Sequence, residues 1–331
     1  MACIVVLTAL NCAGIRESAA VQQLLTALKL CLVLVLFVTA MVYAAQHPAT
    51  IVRNLSYHTA FRGTKGPADF FSAMVACLWS YDGYADINFL QEEFQEENTN
   101  MLPRVLVWSL GIVTVAYALA NVAYFAVLDV DTIVQSKSVA VDMGQAVGGA
   151  AVASFFALGV VVSTAGSNNG SIMTGGRAFY AVARGGHAPK WLAHLNGASA
   201  PDAALVAQGC WTLVLLMLPG SGFASLLDYF GPASWFFYAL SSSALIVLRF
   251  KEPDLERPYR CPLYPLPPLL VISIACLVIG SSFLHAPLYC GLAFSFIALS
   301  VPVHYVFEHR ALFWGADGAR ESGGGEDDRP E

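Results

Sequence analysis

Long apolar stretches, each close to the length of a membrane crossing, alternate along the chain with short polar joints. A bilayer core takes ~20 mostly apolar residues per helix. Eight stretches read as spans: Val21–Ala45, Asp69–Leu90, Leu102–Leu128, Gly148–Ser167, Ala203–Leu218, Phe223–Leu248, Leu263–Leu284 and Pro287–Phe307. Ala203–Leu218 is the shortest. A ninth run, Met1–Cys12, is apolar but too short to span. No basic region precedes it and no convincing cleavage site follows it. It therefore reads as the end of a helix whose start is missing, not as a signal-peptide core. No short-period repeat and no soluble domain interrupts the series. The pattern predicts an all-α polytopic bundle with its transmembrane domain over 1–310. Residues 311–331 read as a disordered cytoplasmic tail, rich in Gly and acidic residues.

Composition narrows the classes. Apolar residues make up 57% of the 331-residue chain and charged residues 12%, with a mean hydropathy of +0.61. Soluble domains run near ~25% charged, so this chain has too few charges to cover a water-exposed surface. It is too apolar for a disordered chain. The 17 Lys and Arg against 23 Asp and Glu, net −6, form no basic stripe, which excludes a nucleic-acid partner. Cys31, Cys77, Cys210, Cys276 and Cys290 lie in apolar runs and read as small buried hydrophobes rather than a disulfide framework. No Cys or His spacing suggests a metal, and no cofactor is implied.

Charge also orients the bundle. With the C-terminus cytoplasmic, the inner segments carry Arg16, Arg104, Arg177, Arg184, Lys190, Arg249, Lys251, Arg257, Arg260, Arg310, Arg320 and Arg329. The outer segments carry only Arg53, Arg62, Lys65 and Lys137. The sequon Asn54-Leu55-Ser56 falls in an outer loop on that scheme. A second, Asn169-Gly170-Ser171, sits at the inner end of a helix and is expected to stay unmodified.

Ionisable groups inside spans are costly and mark function. Three places stand out. Trp79-Ser80-Tyr81-Asp82-Gly83-Tyr84-Ala85-Asp86 lies midway along a span. Ser, Asp and Gly weaken a helix there. A mid-membrane break frees backbone groups that only a protein-lined cavity can satisfy, as at transporter substrate sites. The plainer reading is a kinked helix whose carboxylates bond to neighbours. Lys29 lies well inside its span, either snorkelling to the interface or bridging two helices as a fixed cation. Ser163-Thr164-Ala165-Gly166-Ser167-Asn168 offers small residues for close helix packing, or hydroxyls as partners for Lys29. Gly176 to Pro189 reads as an amphipathic stretch along the inner interface. Glu92–Glu97 and Glu252–Arg260 read as solvated joints.

Several motifs, in order, resemble the L-type amino acid transporters, the light chains of heteromeric transporters in the amino acid–polyamine–organocation superfamily. They are Asn88-Phe89-Leu90-Gln91-Glu92-Glu93, Leu102-Pro103-Arg104, Asn121-Val122-Ala123-Tyr124-Phe125, Val139-Ala140-Val141-Asp142, Arg184-Gly185-Gly186-His187-Ala188-Pro189 and Arg257-Pro258-Tyr259-Arg260. Gly185 stands where the family usually has Glu. The resemblance implies an inverted-repeat fold of twelve helices with the first and sixth broken. On that alignment this chain starts within the fourth helix. It lacks the Gly-rich turn of the first and the outer Cys that links to a heavy chain. Asp69–Leu90 corresponds to the sixth helix.

The resemblance also implies site residues. Trp79, Ser80, Tyr81, Asp82 and Gly83 would contact substrate at the sixth-helix break. Lys29 would stand where sodium-coupled relatives hold an ion, with Ser163 and Thr164 opposite it. Phe230, Ser234 and Trp235 would face the site from the tenth helix. Trp-Ser-Tyr-Asp-Gly resembles the variant that takes dibasic and neutral amino acids, Asp82 favouring a cationic side chain. Tyr84 replaces the family's usual Trp and Ala85 its Asn. The expected function is amino acid exchange at the plasma membrane, by a multi-pass chain within the lipid bilayer, with a single-pass glycoprotein heavy chain as partner. Two other classes remain open. One is a transport-dead truncated isoform or regulatory, binding membrane subunit. The other is an intramembrane aspartyl enzyme built on Asp82 and Asp86, four residues apart.

Overall fold

The computed structural model describes residues 1–56, 73–74, 77–93, 101–217, 222–255, 257 and 259–308. Among these the regular structure is helical, with no strand. The principal helices are α1 (Ala2–Ala13), α2 (Ile15–Gln46), α3 (Pro48–Leu55), α4 (Leu102–Val127) and α5 (Val130–Gln135). They continue with α6 (Val139–Arg184), α7 (Asp202–Met217), α8 (Phe223–Lys251), α9 (Leu266–His285) and α10 (Pro287–Glu308). Among the described residues six are long and apolar enough to cross a membrane: α2, α4, α6, α8, α9 and α10. The expected all-α polytopic architecture is therefore what the chain adopts. α7, read from sequence as the shortest span, has 16 residues. Its described length ends at Met217, next to residues outside the described set. The tail over 311–331 lies outside the described residues.

Two compact units divide the chain, residues 1–216 and 217–331. In the first, α2 packs against α4 and α6, α1 against α6, and α3 against α4. The core is made of Leu36, Ala40 and Ala44 from α2, Ala123 and Ala126 from α4, and Met143 and Phe156 from α6. Small residues let backbones approach where lipid offers no hydrophobic drive between helices. A Cβ on Gly159 of α6 would come within 2.5 Å of the Leu32 side chain of α2, and one on Gly166 within 3.1 Å of Leu25.

α6 differs from its expected form. The sequence places a span at Gly148–Ser167, but the helix runs from Val139 to Arg184 and is interrupted at Gly148 and Gly149. Gly149 has φ +67°, a left-handed conformation that glycine adopts without steric cost. The stretch from Gly176, expected as a separate interfacial element, instead continues α6 as far as Arg184, and Gly176 and Ala183 are buried. Apolar contacts with Leu205 of α7 hold it in the bundle, and these outweigh its weak amphipathic pattern.

The two ends of this unit carry different joints. At one, Asn54 donates from Nδ2 to the carbonyls of Phe125 (2.9 Å) and Leu128 (2.7 Å), and Arg53 pairs with Asp129. At the other, Asn196 Nδ2 donates to the Cys12 carbonyl at 2.7 Å. There the His194 ring donates to Asp202 at 3.0 Å, which holds that carboxyl below its ordinary value. The sequon at Asn54 cannot serve as a guide to sidedness. Its amide lies on a helix and both of its N–H groups cap the end of α4.

A buried polar knot joins α1, α2 and α6. Asn11 Nδ2 donates to the Leu7 carbonyl (2.8 Å) and to Asn169 Oδ1 (2.9 Å). The Ser18 hydroxyl donates to Asn11 Oδ1 (2.5 Å), and Asn169 Nδ2 donates to Gln22 Oε1 (2.9 Å). Asn11, Ser18 and Asn169 are all buried, so each bond removes a desolvation cost that lipid-embedded protein could not otherwise meet.

In the second unit α8 packs against α9 and α10, with Phe294 meeting Phe236 edge-on and stacking on Phe283. The joint after α8, expected as a solvated linker, is tied down by one side chain. The Arg257 guanidinium donates to the carbonyls of Leu248, Glu252, Pro253 and Leu255, gathering the chain just past the helix end around one cation.

Candidate functional site

The clearest cavity in the first unit has a volume of about 630 Å³. Its walls come from α2, α4, α6 and the segment 80–87. That segment is where the expected helix break lies. Residues 77–80 are helical, 81–85 form a turn, and Asp86–Glu93 is a 3-10 helix. Tyr81 N–H bonds to the Leu78 carbonyl (3.1 Å), Asp82 N–H to Trp79 (3.1 Å) and Asp86 N–H to Gly83 (3.3 Å). These short-range bonds replace the α-helical ladder. A Cβ on Gly83 would meet nothing within 4 Å, so no close packing contact calls for the glycine. Because 81–85 is a turn, Asp82 and Asp86 are not placed by a continuous α-helix, the register from which the aspartyl-pair alternative was read.

Ser80, Tyr81 and Gly83 line the cavity, as does Tyr84. Trp79, 44% exposed, and Asp82, half-buried, belong to the same segment without lining it. Lys29 lines the cavity from α2 and is the only charged side chain on its wall among the described residues. Its ammonium donates to the Ser167 hydroxyl of α6 at 2.9 Å. Lys29 thus joins two helices. Its partner, however, is Ser167, one helical turn beyond the hydroxyl at Ser163. Ser163 lines the cavity. Thr164 turns back onto its own helix, donating to the Val160 carbonyl at 2.9 Å.

Phe230, Ser234 and Trp235 lie on α8 of the second unit. There Trp235 meets Tyr238 edge-on at 5.6 Å.

Several lining residues escaped the sequence reading of the site. Tyr117, Asn121 and Tyr124 of α4 all face the cavity. Their spacing of four and three residues puts them on one helical face, and that spacing was readable. The Tyr117 hydroxyl donates to the Ser80 carbonyl at 2.8 Å, and its ring sits edge-on to Tyr81, centroids 5.4 Å apart. No cluster of His, Cys, Asp and Glu able to hold a metal occurs among the described residues. Chemically, the wall offers one cation, hydroxyls, an amide, aromatic rings and backbone carbonyls at a broken helix. It can bind and orient a small polar solute.

The profile of the amino acid permease family matches residues 1–303. The chain belongs to that family. Among curated relatives, the mouse "b(0,+)-type amino acid transporter 1" is 33% identical over 95% of this chain and 63% of its own length. The human protein of that name is 31% identical over 95% of this chain and 63% of its own. The mouse "Large neutral amino acids transporter small subunit 2" is 30% identical over 94% of this chain and 57% of its own. These matches bear out the L-type resemblance carried by the motifs. The permease chain spans roughly three fifths of the length of the curated relatives it matches.

Proposed function

We propose that this chain forms the substrate-holding part of an amino acid transporter of the plasma membrane, working as an exchanger on neutral and dibasic amino acids. Its C-terminus is cytoplasmic, and a single-pass glycoprotein heavy chain is its partner. The observation that carries the reading is the cavity of about 630 Å³ between the broken segment at 81–85, Lys29 of α2 and the polar face of α4. Small-molecule sites run ~300–1,000 Å³, and a broken helix inside a bundle presents carbonyls to a solute rather than to lipid. The names of the relatives, all amino acid transporters, point the same way. No bond is made or broken. Substrate shifts the balance between conformations by binding them unequally.

The test is exchange in proteoliposomes holding the purified chain, with and without a heavy chain. Preloaded leucine is expected to accelerate uptake of labelled leucine and arginine. Binding without flux would favour a binding or regulatory subunit instead. Asp82 is proposed to set selectivity through its field rather than by direct contact, since it stands on the turn but not on the cavity wall. The variant Asp82→Asn should then lose arginine exchange by several-fold, less than the roughly ten-fold of a direct charge-assisted contact, with leucine exchange nearly unchanged. Equal losses of both would refute that role.

A further inference from the structure

Within that functional reading, one contact has a more specific meaning. At the break, the Ser80 carbonyl accepts a hydrogen bond from a side chain of another helix, the Tyr117 hydroxyl of α4, at 2.8 Å. Both partners line the cavity, so a solute there can reach the same oxygen. The Tyr117 ring is held separately, edge-on to Tyr81, so its position does not depend on the hydroxyl alone. We infer that the Tyr117 hydroxyl is a placeholder: it satisfies the Ser80 carbonyl until the ammonium group of an amino acid takes that carbonyl over.

The chemistry favours the exchange. A hydroxyl offers the carbonyl one neutral donor. An ammonium offers three donors and a full charge, and charge-assisted bonds are roughly twice as strong as neutral ones. The displaced hydroxyl stays inside a cavity lined by other polar groups, Ser109 and Asn121 among them. A carbonyl left without any partner in a membrane interior is expensive, so the placeholder stabilises the turn whenever substrate is elsewhere. Tyr117 is then a positioning residue for the turn and a competitor for one substrate contact.

The variant Tyr117→Phe separates these roles, because it keeps the ring and removes only the donor. Equilibrium binding of labelled leucine and labelled arginine to the purified full chain is the readout, with melting temperature measured with and without leucine. The expected result is tighter binding of both amino acids, on the order of five-fold. The ligand-free melting temperature falls, and leucine raises it by more than in the unaltered protein. A purely structural tether would lower stability with and without leucine alike and leave affinity unchanged. A hydroxyl that contacts substrate directly would make affinity worse. Either result overturns the inference while leaving the transporter reading intact. If the unaltered chain binds neither amino acid, the transporter reading fails and takes this inference with it. Should the Phe variant not fold, 3-fluorotyrosine placed at position 117 gives a second measurement. Its fluorine resonance should move when leucine is added and stay fixed with glucose. A resonance unmoved by bound leucine refutes the exchange.

Discussion

Lys29 is a cation placed well inside a span of the first unit. A charged side chain at the centre of a span costs about 2.5–3.5 kcal/mol on insertion scales, and here it is offset in part by the 2.9 Å bond to Ser167 and by the polar cavity. Removing the charge while keeping the stem should therefore leave folding intact and disturb exchange. The variant Lys29→Met is expected to reach the membrane in normal amount and to lose exchange by more than ten-fold. Ser167→Ala should lose less than five-fold, because Ser163 lines the same wall one turn away. Flux normalised to surface protein checks both, and a larger loss for the serine variant would reverse this ranking. The sequence made Lys29 legible because a cation in an apolar run has few explanations. It offered the hydroxyls of 163–168 as partners without choosing Ser167 among them. Ser163, Thr164 and Ser167 occupy adjacent turns, and which one meets Lys29 depends on the rotation of α6 about its axis, which no local pattern encodes. Asn54 makes the same point from the other side. Its sequon is a three-residue pattern, whereas its engagement with Phe125 and Leu128 is set by tertiary packing.

At the scale of the element, the close approach of α2 and α6 should be the most sensitive contact in the bundle. Gly159 leaves no room for a Cβ beside Leu32, and overpacking of a fitted core costs typically 1–3 kcal/mol. The variant Gly159→Val should lower the melting temperature in detergent by several degrees. Gly111→Ala, on α4 with nothing within 4 Å of the added carbon, should be neutral or stabilising. Similar behaviour of the two would mean that α2 and α6 are not closely packed there. The existence of the long helices was legible, since uninterrupted apolar length is a strong signal. The ends of α6 were not. Gly148 and Gly149 break the helix without ending it, and residues 176–184 mix polar and apolar positions too evenly to reveal that they continue it. The break at 81–85 was legible for the opposite reason: several helix-weakening residues coincide at one place in an apolar run.

Over the whole molecule, the two joints of the first unit carry cations that the charge count assigns to opposite sides of the membrane. Arg53 belongs to the joint with Asn54 and Asp129, and it counts among the four outer cations. Residues 194–202 make the joint beside Cys12, within the stretch that carries the inner Arg184 and Lys190. An epitope inserted after Lys137 should therefore be stained on intact cells, and one inserted after Gly197 only after permeabilisation. The reverse pattern would invert the orientation. The polar knot of Asn11, Ser18, Gln22 and Asn169 bears on how such a bundle can move. Directional bonds that interlock three helices resist both sliding by one residue and rolling about an axis, since either step would break them together. The parts of α1, α2 and α6 around Asn11, Ser18 and Asn169 consequently behave as a single keyed block. Whatever displacement admits or releases a solute is left to the pieces that are not keyed into it, α4 and the turn at 81–85, and the hydroxyl of Tyr117 clasps those two moving pieces to each other.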